Sequence, residues 1–135
     1  MMISTKGRYA LRVMLDLAEH QPDGYVPLAA IACRQKISEK YLESILSVLS
    51  KAGMLDALRG KGGGYRLAKA PEDYSVYEIL CLTEGTLAPV TCLEDGRGCE
   101  NAASWRTYPL WQGLDETDRN YLSDFTLVDV LHMKK

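Results

Sequence analysis

Four glycines fall within the six residues Arg59-Gly60-Lys61-Gly62-Gly63-Gly64. No helix persists through such a run, because each glycine costs backbone entropy and brings no side chain to pack. The segment must be a turn, and its flanks must fold back on each other. Met54 to Leu58 is short and half apolar, and Tyr65-Arg66-Leu67 alternates, so the pair predicts a two-stranded hairpin closed by Pro71. A nucleotide-binding phosphate loop is excluded here. It would need the glycines to lead through Lys-Ser or Lys-Thr into a helix, and these lead into a strand.

Ahead of the hairpin the apolar residues keep a helical period. Tyr9, Val13, Leu17 and Ala10, Met14, Ala18 predict a helix over 5–20. Residues 27–35 predict a second, with Pro27 tolerated in its first turn. Lys36 and Ile37 leave room only for a tight connection. Ser38 then caps a third helix to about Ala52, with Tyr41, Leu42, Ile45, Leu46, Val48 and Leu49 on its apolar face and Gly53 as its stop. After the hairpin, Ser75-Val76-Tyr77-Glu78 is a capping box for a fourth helix to about Thr83. Residues 84–103 read as loop, Ser104 as the cap of a longer helix to about Leu122, and Thr126 as the start of a short last one.

The expected fold is mainly α with a small β-hairpin. A winged helix-turn-helix occupies residues 1–83, and a cysteine-containing loop with further helices occupies 84–135. With 135 residues, 47% of them hydrophobic, the chain can bury one core and carry a small appendage. It has no apolar run of the roughly 20 residues that cross a bilayer. Residues Met1 to Tyr9 are polar and basic, unlike a secretion signal. A cytoplasmic protein without membrane contact is expected, its four cysteines serving as thiols or ligands rather than structural disulfides.

In a winged helix-turn-helix the third helix enters the major groove of duplex DNA with its amino end leading. That end offers Ser38, Glu39, Lys40, Tyr41, Glu43 and Ser44. The hydroxyls and the lysine suit phosphates or base edges, and Glu43 suits a cytosine amino group or the exclusion of a wrong base. Arg59 and Lys61, set among Gly62 and Gly63, suit phosphate or minor-groove contact. Charge agrees with this placement. Residues 1–70 hold eleven Lys/Arg against six Asp/Glu, a net of +5, whereas residues 71–135 hold five against twelve, a net of −7. Only the first half is built to face a polyanion.

Three segments, Ser4-Thr5-Lys6-Gly7-Arg8-Tyr9-Ala10, Ser38-Glu39-Lys40-Tyr41-Leu42-Glu43 and Arg59-Gly60-Lys61-Gly62-Gly63-Gly64-Tyr65, resemble the Rrf2 type of bacterial transcription regulators, the family of IscR, NsrR and CymR. The resemblance runs to Thr126-Leu127-Val128-Asp129-Val130-Leu131. It implies a homodimer on a pseudo-palindromic operator, acting as a repressor, with Lys6 and Arg8 among the DNA-facing residues. It also implies a long C-terminal helix crossing its mate, here carrying Trp105, Tyr108, Trp111, Leu114 and Tyr121. Iron–sulfur status, redox state or cysteine metabolism are the signals it suggests, with a metabolic enzyme or small-molecule effector as a further partner.

Family members with a [2Fe–2S] cluster hold it in the loop before that helix, on three cysteines and a nearby histidine. Cys92 and Cys99 match the first two, with one extra residue between them. Trp105 stands where the third is expected and Tyr108 where the histidine could fall. A cluster needs four thiolate or imidazole ligands. Cys33 and Cys81 read as buried residues of core helices, and His20 and His132 are distant in sequence. Three readings stay open: no cofactor, a reversible Cys92–Cys99 disulfide, or a cluster or other metal completed by Glu94, Asp95, Glu100 or a partner subunit. An enzyme is not indicated, because no nucleophile has a base beside it. The alternative to a regulator is a winged-helix protein-interaction module. Lys6, Arg8, Lys40, Arg59 and Lys61 argue against it.

Overall fold

A computed structural model of the chain describes residues 3–20, 24–90, 93 and 105–133. Helices α1 (Thr5–His20), α2 (Leu28–Gln35) and α3 (Glu39–Lys51) precede strands β1 (Leu55–Leu58) and β2 (Gly64–Leu67). A 3-10 turn at Pro71–Asp73 leads to α4 (Val76–Glu84), and α5 (Tyr108–Ser123) and α6 (Leu127–Leu131) follow. This is the expected mainly helical architecture with one antiparallel hairpin. No described helix is long and apolar enough to cross a membrane.

Helix α1 is the central element. Its Ala10, Val13, Met14 and Leu17 are fully buried and share one core with Ile31, Leu42, Ile45, Leu46, Leu49, Leu55, Leu67, Tyr74 and Ile79. The i, i+3, i+4, i+7 spacing of Leu42, Ile45, Leu46 and Leu49 gives α3 one buried stripe, which leaves Lys40, Glu43 and Ser44 on the opposite side. Leu127 brings the last helix back to this core, where its N–H donates to the Tyr74 carbonyl at 3.3 Å. Tyr74 is itself fully buried, and its hydroxyl donates to the Met54 carbonyl at 2.6 Å and accepts from the Lys69 N–H at 3.0 Å. One phenol therefore ties both ends of the hairpin to the entry of α4, and burial pushes its pKa up.

The caps follow the sequence. Ser38 Oγ accepts from Tyr41 N–H at 3.2 Å, and the Ser75/Glu78 box is closed in both directions. Lys36 takes the left-handed conformation (φ 56°) that ends α2, and buried Ile37 anchors the turn.

Two expectations are corrected. The long helix does not start from Ser104, which lies outside the described residues. It starts at Tyr108, with Pro109 in its first turn, and Trp105 precedes it. An earlier start would require Pro109 to donate an N–H to Trp105, and proline has none. Cys33 is exposed rather than buried, and Cys81 is only half-buried. Helix α2 buries Ile31 and Ala32, and Cys33, two residues beyond Ile31, turns away from that face.

Among the described residues one charged group is buried. The Asp16 side chain is 1% exposed and receives Arg34 Nη2 at 2.7 Å, Arg34 Nε at 2.9 Å and Gln35 Nε2 at 2.8 Å. Burial alone would raise its pKa, but the hydrogen bonds from Arg34 and Gln35 and the Arg34 charge outweigh it, so the carboxyl titrates below its usual range. The stability this supplies is therefore complete above the ordinary carboxylate pKa and is lost as pH falls through the lowered folded-state value. Asp16→Ala should cost about 1–3 kcal/mol at neutral pH, from the donors left unpaired. Urea unfolding of both proteins checks this. The difference between them should shrink at a pH low enough to protonate Asp16, and an equal difference at both pH values would contradict it.

Candidate nucleic-acid interface

The amino end of α3 is presented by the cap at Ser38 and by an aromatic brace. Tyr41, 37% exposed, meets the Tyr9 ring edge-on, with centroids 5.9 Å apart and planes at 89°. Arg12 places its guanidinium 5.0 Å from the Tyr9 centroid and donates its Nε–H to Gln35 Oε1 at 3.2 Å, with a further bond to the Gln35 carbonyl. Gln35 in turn donates to Asp16. A continuous polar chain thus runs from the core of α1 through the end of α2 to the ring that supports Tyr41.

Ser38, Glu39, Lys40, Glu43 and Ser44 are all exposed. The two hydroxyls differ in what they can offer. Ser38 Oγ accepts from the helix, so its own proton is available to a phosphate or a base acceptor. Ser44 Oγ donates to the Tyr41 carbonyl at 2.6 Å, which leaves only acceptor capacity toward a ligand. In this rotamer Ser44 suits a base amino group and not a phosphate.

The hairpin pairs Leu55 with Leu67 and Leu58 with Gly64. Val26 extends it through a bridge to Tyr65, with N–H···O bonds of 2.8 and 2.9 Å. Gly63 and Gly64 are required by this geometry rather than by any external ligand. A Cβ on Gly63 would strike the Leu58 carbonyl oxygen, and one on Gly64 would strike that of Val26. Gly62 differs, with φ 79° and open space around it. The turn is therefore compact, and exposed Arg59 and Lys61 project from it.

A groove of about 600 Å³ lies between α3 and the hairpin. Glu43, Ser47 and Lys51 line it from the helix, and Arg59, Gly60 and Gly63 from the hairpin. The structure so brings Glu43 and Arg59 to one groove. Lys6, half-buried, and Arg8, exposed, lie in the first turn of α1, where Arg8 Nη2 donates to Thr5 Oγ1 at 3.3 Å. The bracing set Tyr9, Arg12, Asp16, Arg34 and Gln35 escapes sequence reading, because its contacts join residues 3 to 23 positions apart and share no local period. An acid at position 16, amid the apolar residues of α1, was the one available signal.

In the second half, α5 has no fully buried residue. Trp105 and Leu114 are each 41% exposed and Tyr121 is 61% exposed, joined by Leu110 at 63%, while Tyr108 and Trp111 are half-buried. Cys92 and Cys99 lie outside the described residues, as do Glu94, Asp95 and Glu100. Among the described residues no three His, Cys, Asp or Glu side chains gather to hold a metal. Cys81 lines a cleft between α4 and α5 together with Tyr77, Tyr108 and Arg119. Burial and the neighbouring Cys81 raise the Tyr77 pKa there, opposed by Arg119.

Residues 3–133 match the Rrf2 family, described as iron-dependent transcriptional regulators. The chain is 37% identical to the HTH-type transcriptional regulator IscR of Erwinia tasmaniensis over 132 residues, covering 98% of this chain and 79% of that one. Among solved structures, it resembles CymR, the global cysteine regulator of Bacillus subtilis, with a TM-score of 0.81 and 35% identity over 100% of this chain and 99% of that one. It also resembles IscR of T. potens, with a TM-score of 0.77 and 35% identity over 100% and 93% of the two chains.

Proposed function

Because the chain belongs to the Rrf2 family of transcriptional regulators, we propose that it works in the bacterial cytoplasm as a homodimeric repressor, not an enzyme, seated on a two-fold operator. Helix α3 enters the major groove, and the 59–64 turn lies on the neighbouring phosphates or minor groove. The observation that carries this reading is the shared groove with Glu43 on one wall and Arg59 on the other. A base-reading acid and a phosphate-seeking cation there converge on one face. Ser38, Lys40, Tyr41 and Ser44 extend that face along α3, Lys61, Gly62 and Gly63 extend it along the turn, and Lys6 and Arg8 reach phosphates from α1. The net of +5 on residues 1–70 supports the same orientation.

The second copy docks along α5. Exposed apolar area at Trp105, just ahead of the helix, and at Leu114 and Tyr121 on it, beside Tyr108 and Trp111, favours burial against a mate over exposure to water. The segment with Cys92 and Cys99 is the signal input, and it works without a resident iron–sulfur cluster. Supporting this, Trp105 offers no ligand atom, and Tyr108 offers a phenol where an imidazole would be needed.

Arg59→Ala and Lys61→Ala should each weaken binding on every duplex and lower the salt slope by about 2, one contact from each subunit. Tyr41→Ala and Glu43→Ala should instead change which sequence is preferred, with about 1–3 kcal/mol of discrimination at the affected base. Competition titrations against varied duplexes check this, and unchanged affinity and preference in all four variants would overturn the assignment. Protein purified without oxygen should be colourless, with iron far below stoichiometric. A visible charge-transfer spectrum with stoichiometric iron and sulfide would overturn the cluster-free reading.

A further inference from the structure

The start of α1 departs from its own local pattern. Ser4 caps the helix, its Oγ accepting from Gly7 N–H at 3.2 Å. In a capping box the residue at that third helical position is Glu or Gln, whose side chain reaches back to the cap's N–H. The Ser75/Glu78 box at the start of α4 does this in the same molecule. Here the third position is glycine, and the first turn of α1 holds no acid.

The missing carboxylate comes from elsewhere. Glu84, the last residue of α4, accepts from Ser4 N–H at 3.0 Å and from Ser4 Oγ–H at 2.6 Å, across 80 residues of sequence. Glycine at position 7 is what admits it, since a Cβ there would strike Glu84 Oε1. The box is therefore complete, but its acid is supplied by a second helix. Glu84 also sets a negative charge at the amino end of a helix whose first turn carries Lys6 and Arg8, two cations that the helix dipole disfavours there.

We infer that Glu84 is a positioning residue for DNA binding: by closing this two-helix capping box on Ser4 and Gly7 it holds the first turn of α1, and with it Lys6 and Arg8, against the phosphates. The inference rests on the proposed phosphate contacts of Lys6 and Arg8. It assigns the Gly7 of the Ser4–Ala10 segment a reason that lies in α4. It also makes the last residue before the 85–107 connection part of the DNA-binding face's support.

The test is the salt dependence of binding to a duplex enriched from random sequence by the unaltered protein. It compares unaltered protein, Lys6→Ala/Arg8→Ala, Glu84→Ala, Glu84→Gln, Gly7→Ala and the Gly7→Ala/Glu84→Ala double variant. Losing Lys6 and Arg8, two contacts in each of two subunits, should make the slope of log affinity on log salt shallower by about 4. Glu84→Ala should bind about 3–10-fold more weakly with a slope shallower by about 2. A loss of folded protein alone would lower the active fraction and leave the slope unchanged. Glu84→Gln keeps an oxygen acceptor for both Ser4 donors and should restore the slope. Gly7→Ala, which raises helix propensity while displacing the carboxylate, should reproduce the Glu84→Ala slope. It carries the test if Glu84→Ala fails to fold. The double variant should be no worse than either single one. A normal slope in Glu84→Ala and Gly7→Ala, with a shallower one in Lys6→Ala/Arg8→Ala, would overturn the role of Glu84 and leave the phosphate contacts standing. A normal slope in Lys6→Ala/Arg8→Ala would overturn both.

Discussion

Asp16 is the acid around which the first three helices are set. Its carboxylate, 1% exposed, is satisfied by two Arg34 nitrogens and by Gln35, all from the last turn of α2. A buried carboxylate tolerates only positions where its donors stay aligned, because an unpaired one costs several kcal/mol. That requirement fixes where α2 ends relative to α1. The left-handed Lys36, the buried Ile37 and the Ser38 cap follow directly, so the angle of α3 is set from inside the core. Arg12 extends the same network to Tyr9, and Tyr9 supports Tyr41. The exposed face of α3 is thus positioned by contacts that face away from it.

The hairpin is held by a different constraint. Its glycines leave backbone room for backbone: Gly63 for the Leu58 carbonyl, Gly64 for that of Val26. The turn stays tight, so Arg59 is delivered to the groove shared with Glu43. Two independent devices, a buried carboxylate with its donors and a glycine-packed turn, converge on one surface. Along the sequence, the residues that supply it fall in the half with a net charge of +5, against −7 for residues 71–135.

Local signals were legible in the sequence and distant ones were not. Ser38, the Ser75/Glu78 box and the Thr126 cap each act within four residues of their own position, and each marks an element boundary as found. The helical period placed the apolar face of α3. Failures came where a competing constraint or a remote partner decides. Pro109 overrides Ser104 as the start of α5, and Cys33 sits two positions off the buried face of a helix too short to show its period clearly. Asp16 and Glu84 look like ordinary helix acids until their partners, 18 and 80 residues away, are in place. The residues proposed to face DNA could be listed from the motif. The side chains that hold them could not.

The central claim is that α3 and the glycine turn face duplex DNA while α5 faces elsewhere. Amide hydrogen exchange measured with and without a duplex enriched by the protein tests it most directly. Exchange should slow over residues 38–44 and 59–64 on adding the duplex and stay unchanged along α5. Protection confined to α5, or absent from the 59–64 turn, would contradict the account.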